Sequence, residues 1–356
     1  MSFPVNIILT LAVGGMFGLL CMRFRIPNGL RFGSLLGVAL LSIIFNAAYV
    51  PSQARLIIQA VAGAIVGCTI ERSDLKRLPK VLKPTLITLG MFLLLTLSVG
   101  NIVHALSPID LLTSLLSVVP GGVTDIPIIA SGMGADTPKV ALAQLSRYIL
   151  GVTVFPPMIL AYDTLVQKGK SASNTAGVTK ETVERKKSTV RSLPALVCTL
   201  ALAFAAGMLG SFVGIPAGVF LFSVIAVMFL KLTFDFAYIA PAVKRVTMVI
   251  SGCYIGSLIT MDDVIGFRFL ALPILIILVG YIANSFITGK LLSLTCGFTR
   301  KEGMLITTPA GVADIALNSA EIGVQNTDII IIQVFRAVVA AGIFPQIISA
   351  LIWFYQ

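Results

Sequence analysis

Long apolar runs alternate with short polar or glycine-containing breaks along the whole chain. The runs are close to the roughly 20 residues that a helix needs to cross a bilayer, and the short alternating segments of a β-barrel are missing. The pattern predicts an all-α polytopic membrane protein. The predicted spans are 5–22, 30–49, 55–71, 82–104, 138–161, 194–212, 219–237, 245–260, 270–289 and 328–353.

Two apolar segments, residues 107–135 and 304–325, do not fit a single span. Each consists of two short runs separated by a proline and glycine, at Pro120-Gly121-Gly122 and at Pro309-Ala310-Gly311. Non-helical backbone survives at membrane depth only where it is buried in protein or lines a wet cavity. An arm of about 12 residues is roughly 18 Å long at helical rise, so we expect two re-entrant hairpins with tips near the bilayer centre.

The second part of the chain repeats the first at one constant offset, without a gap. Generic similarity between apolar helices would match only Leu, Ile and Val, whereas this register keeps glycines, prolines and charges. We call residues matched at this offset equivalent. Among the equivalent pairs are Gly63 and Gly252, Asp74 and Asp263, Pro120 and Pro309, Gly122 and Gly311, Asp125 and Asp314, Gln144 and Gln333, and Arg147 and Arg336.

The basic residues predict how the two halves are oriented. We assume that residues 107–135, and likewise residues 304–325, leave the membrane on the same face by which they enter it. Most of the 26 lysines and arginines then fall on the cytoplasmic side, as the positive-inside rule demands. Each half then has five spans plus one re-entrant hairpin. Because five is odd, the halves are inverted, giving about ten spans. We expect a plasma (inner) membrane protein with both termini outside.

The predicted organisation has three parts. Residues 1–161 form membrane repeat 1, hereafter the first half, and residues 194–356 form membrane repeat 2, the second half. Residues 162–193 are rich in Lys, Ser and Thr and too poor in apolar side chains to fold alone, so we expect a hydrophilic cytoplasmic linker.

Composition excludes several classes of protein. The chain is 57% hydrophobic and 12% charged, which is far too apolar for a soluble domain. Its net charge of +11 is explained by cytoplasmic loops, and the linker is too small to be a nucleic-acid-binding module. Five isolated cysteines and one histidine indicate no metal centre and no disulfide framework, so we expect neither an enzyme nor a resident cofactor.

The candidate site lies at the two hairpin tips. Charged side chains at the bilayer centre cost roughly 2.5–3.5 kcal/mol each on insertion scales, so we expect them to face solute, a coupling ion or one another. Each tip also starts a helix, whose free N–H groups favour an anion. The candidate solute- or ion-binding residues are Gly121, Gly122, Thr124, Asp125, Gln144, Arg147, Gly311, Asp314, Gln333 and Arg336.

Two alternatives at this site stay open. The Asp125–Arg147 and Asp314–Arg336 pairs could serve only to neutralise each other and fix the hairpins. Gln144 and its equivalent Gln333 could donate to solute or to carbonyls of the tips.

The two motifs, "PGGVTDIPIIASGMGAD…LAQLSRYI" and "PAGVADIALNSAEIGVQ…IIQVFRAVV", resemble the AbrB-type family of bacterial inner-membrane proteins. Members of that family carry labels as different as ammonia monooxygenase and transcriptional regulator. The resemblance implies two Pro-Gly-Gly tips, each followed by an acidic residue and Gln-x-x-Arg, in a transporter-like membrane protein. This chain departs from that pattern with Ala310 in place of the second tip's glycine, and with Asp rather than Glu as the acid.

Our functional prediction is a secondary active transporter of a small organic solute, a carboxylate being one candidate, that works by alternating access at the two opposed tips. Coupling to H⁺ or Na⁺ is left open. The alternative is a non-transporting membrane scaffold or sensor that signals through the linker. The expected partners are the solute, membrane lipid and, by analogy with such folds, a second copy in a homodimer.

Overall fold

The computed structural model describes residues 3–24, 29–123, 125–168, 193–215, 217–261, 263, 267–311, 315, 319, 322, 324 and 326–355. Every regular element in these ranges is helical. The helices of the first half are α1 (Phe3–Arg23), α2 (Gly29–Phe45), α3 (Ala54–Gly67), α4 (Arg72–Leu106), α5 (Leu111–Val118), α6 (Asp125–Met133), α7 (Thr137–Thr153) and α8 (Phe155–Lys168).

The helices of the second half follow the same plan. Its second helix begins and ends at the equivalents of the first and last residues of α2, and its first hairpin helix does the same with respect to α5. A short 3-10 turn at Phe267–Leu270 precedes its longest helix. The described helices are α9 (Leu193–Phe212), α10 (Gly218–Phe234), α11 (Pro241–Ser257), α12 (Ala271–Cys296), α13 (Arg300–Thr307), α14 (Thr327–Gly342) and α15 (Phe344–Tyr355).

Five apolar segments of the described chain are long enough to cross a membrane. They are Val5–Arg23, Pro79–Leu106, Leu193–Phe212, Ala271–Cys296 and Asp328–Phe354, and α7 with α8 becomes a sixth if that bent pair counts as one span. The prediction of a helical chain of membrane type is therefore confirmed. Three further apolar helices, α2, α3 and α10, have 14 to 17 residues and are shorter than the spans predicted from the sequence.

Two spans predicted as continuous are broken. The helix expected over 138–161 divides after Thr153 into α7 and α8, which meet at 43°. The helix expected over 328–353 divides after Gly342 into α14 and α15. Both breaks precede a Phe-Pro pair, Phe155-Pro156 or Phe344-Pro345. Proline has no N–H to continue the helical ladder, and its ring clashes with the preceding turn, which explains the 43° bend between α7 and α8 and the interruption after Gly342.

Equivalent hydrogen bonds hold equivalent helices together. In the first half the backbone N–H of Tyr49 donates to the Thr10 hydroxyl at 3.0 Å, and in the second half Tyr238 donates to Thr199, also at 3.0 Å. Likewise a serine on the second helix of each half donates to a carbonyl of the first helix. These bonds are Ser34 to Gly14 at 2.9 Å and Ser223 to Ala203 at 2.7 Å.

The two halves interlock through glycines. A Cβ on Gly63 of α3 would lie 2.7 Å from the Phe220 carbonyl oxygen of α10. A Cβ on Gly252 of α11 would lie 2.6 Å from the Arg31 carbonyl oxygen of α2. Each half thus packs its third helix against the second helix of the other half, with the backbones as close as glycine allows.

We predict that Gly63→Val destabilises the protein by about 1–3 kcal/mol, because overpacking forces α3 away from α10. The measurement is thermal unfolding of the purified protein in detergent. The control is Gly15→Val on α1, where a Cβ would meet no atom within 4 Å. Equal melting temperatures for the two variants would contradict the close approach of the halves.

Candidate functional site

The carbonyls at the C-terminal ends of α5 and α13, where the two predicted hairpins break, receive hydrogen bonds from two buried glutamines. Gln144 on α7 faces the C-terminal end of α5, and Gln333 on α14 faces the C-terminal end of α13. Both side chains are completely buried. Their amide nitrogens donate to Leu116, Ser117 and Val119 at 3.0–3.3 Å, and to Leu305 and Ile306 at 3.0 and 2.7 Å. The sequence left two roles open for these glutamines, donation to solute or donation to carbonyls of the tips. The contacts that the structure describes are with the carbonyls.

Arg147 lies one helical turn beyond Gln144 and reaches the first tip. Its Nη2 donates to the Gly121 carbonyl at 2.6 Å, and its Nη1 donates to the Tyr281 hydroxyl at 3.3 Å. The guanidinium also lies over the Tyr281 ring, 5.4 Å from its centroid. The Tyr281 hydroxyl in turn donates to the Val118 carbonyl at 2.6 Å. An aromatic residue of the second half therefore helps to hold the tip of the first.

Arg336 occupies the equivalent place at the second tip. Its Nη1 donates to the Thr308 carbonyl at 2.9 Å, and its Nη2 donates to the Ala310 carbonyl at 3.1 Å. The guanidinium lies over the ring of Phe92, 5.5 Å from the centroid. Phe92 belongs to the first half, so the crossing of the halves seen at Arg147 recurs here.

The four side chains form one cluster, which we name the arginine–aromatic cluster: Arg147, Arg336, Phe92 and Tyr281. Phe92 and Tyr281 are themselves equivalent residues of the two halves, and their ring centroids are 6.1 Å apart. The two guanidiniums are near enough to interact electrostatically, and both are almost completely buried. The Nε of each is buried and has no hydrogen-bond partner among the described residues.

Chemically, this cluster favours an anion. Among the described residues, the groups that accept hydrogen bonds from the two guanidiniums are carbonyls and a phenol, all uncharged. Two like charges in a medium of low dielectric constant repel each other, and burial penalises both. A carboxylate between them would relieve both costs and could accept from the Nε–H groups.

The glycines of the first tip leave room for neighbouring side chains. A Cβ on Gly122 would collide with a carboxylate oxygen of Asp125, and one on Gly121 would collide with the side chain of Ile126. The Asp125 carboxylate folds back toward the tip and interacts electrostatically with Arg31 of α2. Asp125 thus has a basic neighbour other than the Arg147 considered from the sequence.

The two tips lie close to the long helices of opposite halves. A Cβ on Gly151 of α7 would lie 2.5 Å from the carbonyl oxygen of Pro309 in the second tip. Of the predicted site residues, the structure brings Gly121, Gln144 and Arg147 together at the first tip, and it brings Gln333 and Arg336 together at the second. Gly311 directly follows Ala310, whose carbonyl Arg336 binds. Thr124 and Asp314 lie outside the described residues.

Sequence reasoning missed the aromatic half of the cluster and Arg31. A tyrosine or phenylalanine in an apolar span is ordinary core material, so composition alone gives no reason to single out Phe92 or Tyr281. One signal in the sequence could have found them. Phe92 and Tyr281 occupy equivalent positions of the repeat, and only Tyr281 carries a hydroxyl.

A cavity of about 470 Å³ lies apart from the predicted site residues, between α3, α6 and the start of α10. Its lining includes Arg55, Gln59, Gly132 and Ser211. Arg55 Nη1 donates to the Ser131 carbonyl at 2.9 Å, which ties α3 to α6 at the edge of the cavity.

Ion pairs join the start of α4 to the start of α14. The carboxylate of Asp328 lies 3.4 Å from Arg77 Nη1 and 3.1 Å from Lys80 Nζ. Asp328 is nearly buried, whereas Lys80 is largely exposed, so the Lys80 contribution is screened by solvent.

Apolar helices and a buried pair of arginines define a helical protein of membrane type. The chain belongs to the AbrB family: the model of that family, described as transition state regulatory protein AbrB, matches residues 1–163 and 140–352. The chain is also similar to the uncharacterized protein YhjN of Bacillus subtilis (strain 168). The two are 26% identical over 278 residues, which cover 74% of this chain and 71% of the relative.

We predict that Gln144→Leu lowers the stability of the protein by about 1–3 kcal/mol, since it leaves buried carbonyls of the first tip without a donor. Thermal unfolding in detergent measures the change. The control is Gln53→Leu, at an exposed position that makes no side-chain capping bond. A variant as stable as the wild type would show that the glutamine is dispensable for the hairpin.

Proposed function

We propose that the protein is a secondary transporter of a small organic carboxylate, which binds between the two hairpin tips and is released chemically unchanged. The observation that supports this most directly is the arginine–aromatic cluster. It places two buried guanidiniums beside each other, with uncharged described partners and one buried Nε–H each. Buried positive charge whose described hydrogen-bond partners are all uncharged gains stability from binding an anion.

The tips would bind the solute through backbone and side chain together. The start of α6, at Asp125, lies beside the first tip, and helix N-termini favour anions. Arg147 and Arg336 would contribute the charge. Asp125 and Asp314 are the candidates to carry a proton or to bind a coupling cation, because they are the acidic residues nearest to the tips in the sequence.

The proposed mechanism is alternating access between inverted halves, and a contact near one end of the molecule supports the inversion. Arg72, at the predicted cytoplasmic end of α4, donates to the Leu232 carbonyl at 2.6 Å. Leu232 is the equivalent of Ile43, which lies at the predicted outer end of α2. If both halves ran in the same direction, Leu232 would lie outside, a full membrane thickness away from Arg72.

The two ends of the molecule also differ in a way that suits this mechanism. The lining of the 470 Å³ cavity comes from segments predicted to lie outside, among them Arg55 and Ser211. The pairs of Asp328 with Arg77 and Lys80 join segments predicted to lie inside. We infer a conformation that is more open outside and held closed inside by ion pairs, as one of the two end states of the cycle.

We predict that Arg147→Ala and Arg336→Ala each reduce carboxylate uptake into proteoliposomes by at least about tenfold, since each removes a charge-assisted contact with the anion. Arg147→Lys keeps the charge and should retain part of the activity. The control is Arg245→Ala, which removes an exposed arginine.

Size-exclusion profiles would establish that the arginine variants are folded. Uptake at the wild-type rate by folded Arg147→Ala and Arg336→Ala would remove both arginines from the solute site.

For the inverted arrangement, we predict the sidedness of two single cysteines in a background without the five native ones. Ser211→Cys, in the cavity lining, should react with a membrane-impermeant maleimide on intact cells. Ser173→Cys, in the linker, should react only after permeabilisation. Labelling of Ser173→Cys from outside would rule out the orientation on which alternating access depends.

A further inference from the structure

The second hairpin packs on α12 through polar side chains at positions where the first hairpin packs on α4 through apolar ones. The first-half residues all belong to one hydrophobic cluster. Their second-half equivalents are all more than nine-tenths buried. The pairs are Phe92 and Tyr281, Leu95 and Asn284, Val99 and Thr288, Val118 and Thr307, Val119 and Thr308, and Ala130 and Ser319.

These polar groups satisfy one another only in part. The Thr288 hydroxyl donates to Asn284 Oδ1 at 3.2 Å, and the Thr307 hydroxyl donates to the Ser285 hydroxyl at 2.9 Å. Asn284 Nδ2 and the Ser319 hydroxyl, both buried, have no hydrogen-bond partner among the described residues. A buried donor without an acceptor is costly, and the apolar first-half version of the same layer shows that the fold does not require it.

The polar layer borders the arginine–aromatic cluster at two points. Tyr281, one helical turn before Asn284, accepts a hydrogen bond from Arg147. Thr308 offers its carbonyl to Arg336, at 2.9 Å. A solute held by the guanidiniums would therefore have the polar layer of the second half beside it.

We propose that this layer, centred on Asn284, binds a hydroxyl or amide group of the solute, so that the preferred substrate is a carboxylate that carries such a group. This assignment rests on the proposed function and specifies its substrate. The Asn284 amide donates a hydrogen bond to the oxygen of that group. A hydroxyl oxygen of the layer accepts a hydrogen bond from the O–H or N–H of the same group. The second half thus recognises the polar group, whereas the first-half residues at the six equivalent positions are apolar and could not.

Electrostatics decides between this occupant and a metal cation. The oxygens of asparagine, serine and threonine are also ligands for Na⁺. Here, however, Arg336 binds the carbonyl of Thr308, within the layer itself, and Arg147 contacts Tyr281. Two buried positive charges repel a third at such short range, whereas they attract an anionic solute whose neutral group enters the layer.

The test measures how tightly matched acids bind to the protein in detergent. Binding is read from the rise in melting temperature at constant ionic strength. The probes are lactate against propionate and malate against succinate, which differ within each pair by one hydroxyl. We expect the wild type to bind the hydroxylated acid of a pair about tenfold more tightly. A site built to pair with a hydroxyl rejects the analogue that lacks it, because its own groups are left unpaired.

Asn284→Leu, which installs the residue found at Leu95, should reduce this ratio to about one. If Asn284→Leu does not fold, Thr288→Val takes its place. It installs the side chain found at Val99, is nearly isosteric with threonine, and should also lower the ratio. Thr85→Val is the control, since it removes a buried hydroxyl of α4 that donates to a carbonyl of its own helix. It should keep the wild-type ratio.

Three results would overturn the assignment. Equal binding of both acids by the wild type would refute the hydroxyl pocket while leaving carboxylate transport intact. Absence of binding by all four acids would refute the carboxylate substrate itself. A stabilisation by NaCl that KCl does not reproduce, and that Asn284→Leu abolishes, would make the layer a cation site instead.

Discussion

A carbonyl at the broken end of a helix needs a hydrogen-bond donor when no water surrounds it. The C-terminal ends of α5 and α13 are such ends, and both are buried. Gln144 and Arg147 supply the donors at one tip, and Gln333 and Arg336 supply them at the other. The spacing of three residues places each glutamine and arginine on one face of a helix. The backbone carbonyls need hydrogen-bond donors, and two of the donors that meet this need are arginines. The same two positive charges also define the chemistry of the arginine–aromatic cluster.

The aromatic residues connect this local need to the arrangement of the halves. Each arginine stacks on a ring from the opposite half, and only Tyr281 adds a hydroxyl that reaches the opposite hairpin. A movement of one half against the other therefore changes the surroundings of both guanidiniums together. The transport cycle proposed above requires such a shared centre, because a solute bound there would act on the same contacts as the conformational change.

The sequence predicted the helical class and the break at Pro120-Gly121-Gly122, and it singled out Arg147 and Arg336, both of which are buried, because a periodic spacing of proline, glycine and charge is visible without coordinates. It did not predict the bend before Phe155 or the interruption before Phe344, since proline also occurs in continuous transmembrane helices. It did not reveal Arg31 as a neighbour of Asp125, or the contact of Arg147 with Tyr281. Those pairs lie far apart in the chain, and only the packing of the halves brings them together.

The glycine contacts of Gly63 and Gly252 have a bearing on ancestry. A polypeptide ending after the first half would present a groove on α2 and a glycine ridge on α3, with nothing to fill either. It could complete both only by associating with another molecule of itself. Fusing two such molecules through residues 162–193 would turn that encounter into an intramolecular one, governed by tether length instead of abundance in the bilayer. Fusion would also let the two halves diverge, and the polar layer around Asn284, which replaces apolar residues of the first half, is a difference of this kind.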